Sequence, residues 1–361
     1  MKLEITAKKE YLSIVQISKR NLIHNFDQIR STLPATTKIL CIIKANAYGH
    51  DMQLVHSCLS DKVDFFGVAD LSEAEELRAI GCSKPILVLG PFTSADIEIY
   101  KELSLTAVVG SMEELNSLSA DIPFHLEFDT GMGKLGFYPH EWSEVEKTLE
   151  KHDLVPTGVI THFATADEPE SEFVIEQYEE FELLKNKISI KIPDLLWHAS
   201  NSSAIVHFPD AAYSMVRPGL SLYGYLGGNH SLDLKPVLSW KSICTMVRPI
   251  KKGTSVSYGA TWSAPKDGWL LIIPVGYADG IPRNLSNKIL VNVGGKLYPQ
   301  VGTVTMDYIM VFSEEYIERG SEVEVLGQNS SDAQDWADIL NTIPYEILCG
   351  IHPKIKRVLV R

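Results

Sequence analysis

Five side chains fit for acid–base or anion-binding chemistry each stand at the end of a short apolar run. Lys44 follows residues 39–43, Asp129 follows 124–128, His162 follows 158–161, His198 closes 195–198, and Arg217 follows 215–216. An amine, a carboxylate, two imidazoles and a guanidinium brought to one place can hold an anion, add to a carbonyl and move protons. Lys44 is the most telling of them. Burial lowers the pKa of a lysine and so frees its amine to act as nucleophile and base. Taken singly, each residue reads more simply as a surface lysine, a satisfied core histidine or a salt-bridged arginine. Five in the same position relative to a strand make a pattern.

The elements that must position them follow from the rest of the chain. Eight apolar runs occur between residues 39 and 219, at 39–43, 65–68, 85–89, 106–109, 124–128, 158–161, 195–198 and 215–216. Amphipathic stretches such as 71–80, 141–152 and 172–187 lie between them, with apolar residues at helical spacing. Fully apolar strands alternating with helices mark a parallel sheet covered by helices. Eight such units predict an α/β fold closed as a (β/α)8 TIM-type barrel, whose chemistry sits at the C-terminal ends of the strands. After Pro236 the runs 237–247, 269–275, 288–293, 296–301, 308–312 and 322–326 are separated by Gly, Pro, Asn and Ser, with one helix over 331–340. Gly294-Gly295 reads as a tight hairpin turn. The expected organisation is a barrel over 12–235 and a mainly antiparallel β domain over 236–361. Residues 1–11 are expected to pack against the β domain, and an opening strand over 11–17 is placed to pair with it.

Composition narrows the function. The chain has 361 residues and a formal net charge of −13, spread along its length, which argues against nucleic acid or an anionic membrane as partner. No apolar run approaches the roughly 20 residues that span a bilayer. Residues 1–13 alternate charged and apolar types without the hydrophobic core of a secretory signal, so a cytoplasmic location is expected. Five scattered cysteines form no CxxC or Cys/His spacing, which predicts reduced thiols, no disulfide framework and no metal.

The segment Lys44-Ala45-Asn46-Ala47-Tyr48-Gly49-His50 makes the reading specific. Together with Asp129-Thr130-Gly131-Met132-Gly133-Lys134-Leu135-Gly136, Thr161-His162-Phe163-Ala164, Asn201-Ser202 and Arg217-Pro218-Gly219, it resembles the alanine racemase family. Val256-Ser257-Tyr258-Gly259, Gly276-Tyr277-Ala278-Asp279-Gly280, Met306-Asp307 and Pro344-Tyr345-Glu346 extend that resemblance over essentially the whole chain. It implies pyridoxal 5'-phosphate as cofactor, bound to Lys44 as a Schiff base, and a homodimer in which Tyr258 serves the partner's site. Lys44 and Tyr258 would then move the Cα proton on opposite faces of the substrate. By the same resemblance Arg217 faces the pyridine nitrogen, with His198 orienting it, and His162 packs on the ring. The phosphate falls to Tyr48, Ser202, Tyr345 and the amides of Gly219 and Leu220, with Asn201 among the cofactor contacts. Met306 would offer its amide to the substrate carboxylate, Asp307 would stand behind it, and Tyr277 and Arg283 would line the way in.

Two departures touch the substrate. Where the family often has a lysine two residues before the Asp-Thr-Gly-Met motif, this chain has Glu127; where it has an arginine in that motif, this chain has Lys134. Residues 125, 127 and 129 share one strand face, so Glu127 is expected to point into the same mouth as Asp129 and to pair with Lys134. Glu127 would supply the anion that a carbamylated lysine provides elsewhere in the family, and Lys134 the cation. The implied activity is interconversion of L- and D-alanine, supplying D-alanine for bacterial peptidoglycan. The alternatives are a serine or broad-specificity racemase of the same build, a decarboxylase of the related barrel type, and a non-catalytic cofactor-binding protein. Tyr258 with Met306 speaks against the decarboxylase, and the second domain against the last.

Overall fold

The computed structural model describes residues 12–168 and 170–361, so the expectation for residues 1–11 lies outside the described residues. The strands are β1 (Ser13–Ser18), β2 (Lys38–Ile42), β3 (Phe65–Val68), β4 (Ile86–Val88), β5 (Thr106–Val109), β6 (Phe124–Glu127), β7 (Gly158–Ile160), β8 (Leu196–His198) and β9 (Met215–Val216). Then follow β10 (Leu238–Ile243), β11 (Met246–Ile250), β12 (Ser255–Val256), β13 (Trp262–Ser263), β14 (Gly268–Ile273), β15 (Leu290–Val293), β16 (Lys296–Val301), β17 (Ile309–Ser313), β18 (Glu322–Leu326) and β19 (Lys356–Val360). By contacts the chain forms two units. One is Lys235–Arg361 with the described residues up to Leu22 and Tyr48–Leu54; the other is Ile23–Ala47 with Val55–Leu234.

In the second of these units the eight expected strands form one parallel sheet, in the order β8-β7-β6-β5-β4-β3-β2-β9. β9 pairs with β2 (Lys38↔Met215, Ile39↔Val216), and the Ile42 amide donates to the Pro218 carbonyl at 3.0 Å. The ends approach each other through Ser214 N–H to Trp197 O (3.1 Å) and Arg217 N–H to Ser200 O (2.9 Å). The result is the near-closed barrel expected from the sequence. Its strands are buried nearly throughout, because helices cover their outer faces and their own side chains fill the interior. Those helices include Leu71–Ala79, capped by the Asp70 carboxylate on the Glu73 amide, and Glu172–Ser189.

The other unit is a nine-stranded, mainly antiparallel sheet in the order β11-β14-β17-β16-β15-β18-β10-β1-β19. β1 runs antiparallel to β10 and parallel to β19. The expected Gly294-Gly295 turn joins β15 to β16, with φ of 61° and 91° at the two glycines, values that side chains with a Cβ adopt at a cost. The run at 237–247 is two strands, broken at Cys244–Thr245. A two-residue pair (β12–β13), the helix Pro344–Cys349 and β19 add to what the sequence predicted. All five cysteines are free thiols. No helix of the described residues is long and apolar enough to cross a membrane.

Candidate active site

Lys44 leaves β2 and enters a backbone that ordinary turns do not describe. Ala45, Asn46 and Ala47 have φ of 51°, 51° and 54°, and Tyr48 follows at 53°. This is one turn of left-handed helix, closed by the Ala47 amide donating to Ile43 O at 2.7 Å. Each non-glycine residue there costs roughly 1–2 kcal/mol, so surrounding contacts must impose the shape. Glu73 is one such contact: its carboxylate accepts from the Ala45 amide at 2.5 Å and from the Ala69 amide at 2.7 Å. The Tyr223 hydroxyl adds another, donating to Ile42 O at 3.1 Å.

Arg217 lies buried one residue beyond β9. One terminal nitrogen donates to His198 O (2.8 Å) and His198 Nδ1 (3.1 Å). The other donates to Thr161 O (2.7 Å), Ala199 O (2.9 Å) and His162 Nδ1 (3.2 Å). Burial pulls its guanidinium down to about 10, partly opposed by Glu127, so it stays charged at neutral pH. Burial, then the nearby charges of Arg217, Lys134 and Lys44, pulls His162 down to about 3. The His162 imidazole is therefore neutral. Gln177, buried in the helix Glu172–Ser189, ties the His162 loop by donating to His162 O (3.0 Å) and accepting from the Ala164 amide (2.9 Å).

Ser202 Oγ accepts from the Gly219 amide (2.9 Å), the Ser221 amide (3.2 Å) and Ser221 Oγ (3.0 Å). The Leu220 amide and Arg217 Nε donate to no described protein group. Phosphate oxygen and an unprotonated ring nitrogen are acceptors that suit these two donors, so the residues present fit pyridoxal phosphate. Asn201 has a structural task. Its Oδ1 caps the helix Ser202–His207 at the Ala204 amide, and its Nδ2 donates to Phe163 O.

The Asp129–Gly136 loop is folded back on β6. Asp129 Oδ1 accepts from the amides of Gly131 (2.9 Å) and Gly133 (3.0 Å), while Phe137 exchanges backbone bonds with Glu127 and Asp129. The glycine spacing G-x-G-x-x-G here serves that return and opens no helix. At Gly136, φ is 112° and a Cβ would lie 2.7 Å from the Asp129 nitrogen. Lys134 is exposed on this loop, and no hydrogen bond or ion pair among the described residues joins it to Glu127, contrary to the expected contact. Asp129, by capping Gly131 and Gly133, fixes the loop that carries Lys134, whose charge still acts on Glu127. Glu127 is buried against a cavity of about 130 Å³ that Glu114 also lines. Burial pushes its carboxyl up, Lys134 and Arg217 pull it down, and Glu114 and Asp129 push it up again.

The β unit carries the remaining residues. Tyr48 and Tyr345 come together there, ring centroids 5.5 Å apart, and a Cβ at Gly49 would meet Leu348 O at 2.3 Å. Tyr258, Met306 and Asp307 line one groove of about 830 Å³. Tyr258 is 69% exposed, at the start of a short 3-10 turn. Thr303, which the sequence reading passed over, pins that turn: its carbonyl accepts from Ser257 Oγ (2.6 Å) and its hydroxyl donates to Tyr258 O (2.8 Å). The Met306 amide donates to no described protein group, and Met306 O accepts from Ala278. Gly276 permits this approach of two loops, since a Cβ would stand 2.3 Å from Met306 O. Asp279 caps Gly276 and pairs with Lys354 at 2.9 Å, so Lys354 steadies the segment bearing Tyr277 and Arg283, both exposed.

A lysine, two imidazoles and a buried arginine at the strand ends of a (β/α)8 barrel, followed by a β unit with an exposed tyrosine, define a class of barrel enzymes. Comparison gives the family. Residues 17–227 match the alanine racemase N-terminal domain and residues 237–359 the alanine racemase C-terminal domain. The chain is 36% identical to an alanine racemase of Nostoc sp. over 95% of each chain, and 37% identical to that of Halothermothrix orenii over 92% of this chain and 93% of the relative. Among solved structures, alanine racemase of Clostridium difficile 630 aligns with a TM-score of 0.90 at 32% identity, over 98% of this chain and 97% of that one. A Bacillus anthracis alanine racemase with bound L-Ala-P gives 0.90 at 31%, over 98% and 96%. The chain belongs to the alanine racemase family.

Proposed function

We propose that this chain racemises alanine with pyridoxal phosphate, in a homodimer whose sites each join the barrel of one copy to the Tyr258 of the other. The observation that carries the reading is the buried, five-fold anchored Arg217 bonded to His162, on which Lys44 also acts, with Nε left as a donor. Pyridoxal phosphate supplies the aldehyde that engages Lys44 and the ring that accepts the electron pair left when Cα loses its proton. Arg217 keeps its proton and can only donate, so it holds a facing ring nitrogen unprotonated. That limits how long charge is stored on the ring and favours rapid return of the proton. Lys44 Nζ takes or gives the proton on one face, and the Tyr258 hydroxyl does so on the other. Ser202, the Leu220 amide, Tyr48 and Tyr345 are assigned to the phosphate, and the Met306 amide with Lys134 to the substrate carboxylate. The exposure of Tyr258 and Met306 supports the dimer, since such apolar surface marks a face that another surface covers. A cytoplasmic location accompanies this reading. Tyr258→Phe tests it: Cα–deuterium exchange should persist from one enantiomer of alanine only, with racemisation lost. Undiminished exchange from both would refute the two-base assignment.

A further inference from the structure

Behind Arg217 stands a second buried imidazole to which the expected chemistry gives no task. His125 lies on β6, with Nδ1 2.8 Å from His198 Nε2 and the two rings edge to face at 4.9 Å. His198 Nδ1 is in turn 3.1 Å from an Arg217 terminal nitrogen. Both histidines are inaccessible to solvent.

We propose that His125 is a positioning residue: with His198 it forms a neutral two-imidazole relay that fixes how the Arg217 guanidinium is held. The relay has one consistent proton arrangement. A guanidinium N–H can only donate, so His198 Nδ1 must accept and its proton sits on Nε2. That proton is donated to His125 Nδ1, which leaves the His125 proton on its own Nε2. A proton added to either ring would set N–H against N–H. Burial and the neighbouring Arg217 charge hold His125 down to about 3 and His198 well below its ordinary value, in keeping with two neutral rings. Arg217 is the charged group that acts on both rings; Glu127 acts in turn on Arg217, and His162 lies beyond it.

The fold makes room for this arrangement at a cost in side-chain packing. Gly158 on β7 is the register partner of His125, and a Cβ there would lie 2.8 Å from both Cδ2 and Nε2 of the ring. The same Cβ would lie 2.8 Å from Leu196 O. A larger residue at 158 would collide with the His125 ring and displace it from this position.

The inference rests on the proposed function only for its catalytic consequence; the proton arrangement is measurable without it. The test is 15N NMR of the histidine rings in the intact, cofactor-free protein, for wild type and for His125→Leu, His125→Asn and Gly158→Ala. Wild type should show His125 and His198 as neutral Nε2–H tautomers at pH 6. His125→Leu should shift the His198 nitrogens towards a mixture, whereas His125→Asn, whose Oδ1 can accept in place of Nδ1, should retain the wild-type pattern. Gly158→Ala reaches the ring from the other side and should disturb His198 as His125→Leu does. In the loaded enzyme, His125→Leu should lower kcat by about 10- to 100-fold, the usual scale for a supporting hydrogen bond, with KM nearly unchanged and recovery in His125→Asn. An Nδ1–H tautomer on His198 in wild type, or His198 signals unmoved in both His125→Leu and Gly158→Ala, would overturn the relay. A wild-type relay in a protein that does not racemise alanine would overturn the functional reading instead.

Discussion

Arg217, in the barrel, is held by five acceptors, four of them on buried residues, and the imidazoles around it are pulled far below their ordinary pKa values. Tyr258, in the β unit, is pinned through its backbone by Thr303 while its ring stands largely in solvent. The first region orients its groups with its own chain before anything binds. The second fixes a backbone and leaves the side chain open. A two-base reaction needs both qualities: one face that is rigid and desolvated, and one that arrives with an open, apolar rim.

The sharpest way to break this contrast is to remove the reactive group of the rigid half. Lys44→Ala should lower racemisation by at least about 10⁴-fold and abolish covalent cofactor attachment with its visible absorbance, since both nucleophile and base are lost. Cofactor trapped by borohydride on a different lysine would reassign the site. Next, the open half should be transferable. Mixed Lys44→Ala and Tyr258→Phe subunits should regain about a quarter of wild-type activity, because half of randomly exchanged dimers carry one intact site of two. No recovery after proven subunit exchange would place Tyr258 and Lys44 of one chain in the same site.

A smaller effect reads the burial of the barrel half through pH. His125 and His162 are held at about 3, and His198 well below its ordinary value. Unfolding returns each to an ordinary pKa near 6.5, so the unfolded chain binds more protons and stability falls as pH drops below that value. Urea unfolding at pH 7 and 5.5 should differ by about 1 kcal/mol per histidine, about 3–4 kcal/mol for the three. Equal stability at both values would mean that these rings are solvated or charged. The smallest effect concerns the left-handed turn after Lys44. Ala45 is exposed there, and Ala45→Gly relieves Cβ strain while adding freedom to the unfolded chain. Melting should therefore stay level or rise, by up to about 1 kcal/mol. A loss of about 1 kcal/mol, the cost of glycine in an ordinary helix, would deny the left-handed geometry.

Much of the barrel was legible because a parallel strand buried on both faces is a continuous apolar run bounded by polar ends. All eight runs became strands. The β unit was less so. Residues 237–247 look like one run because β10 and β11 are both partly apolar, and only the break at Cys244–Thr245 divides them. β12 and β13 are two residues each, too short for any periodicity. At the site, residue types at strand ends pointed to Arg217, His162 and His198, but the direction of a hydrogen bond is a property of packing. Hence the Asn201 cap on the Ala204 amide was not foreseen, Lys134 makes no ion pair with Glu127 among the described residues although its charge acts on that carboxyl, and His125 escaped notice although it shares the strand face of Glu127. The missed signal at His125 was its register partner, a glycine at the first position of β7 where a Cβ would meet the imidazole.

The placement of β1 sets a schedule for synthesis. This strand leaves the ribosome first of the described elements, yet its two neighbours are β10 and β19, both made after the barrel strands. About 220 residues separate Ile17 from its partner Leu238, which at roughly 5–20 residues per second is a wait of about 10–40 s. Every residue of the barrel strands is translated within that interval. The nascent chain must therefore carry an unpaired strand with the apolar face Val15 and Ile17 until β10 has been made.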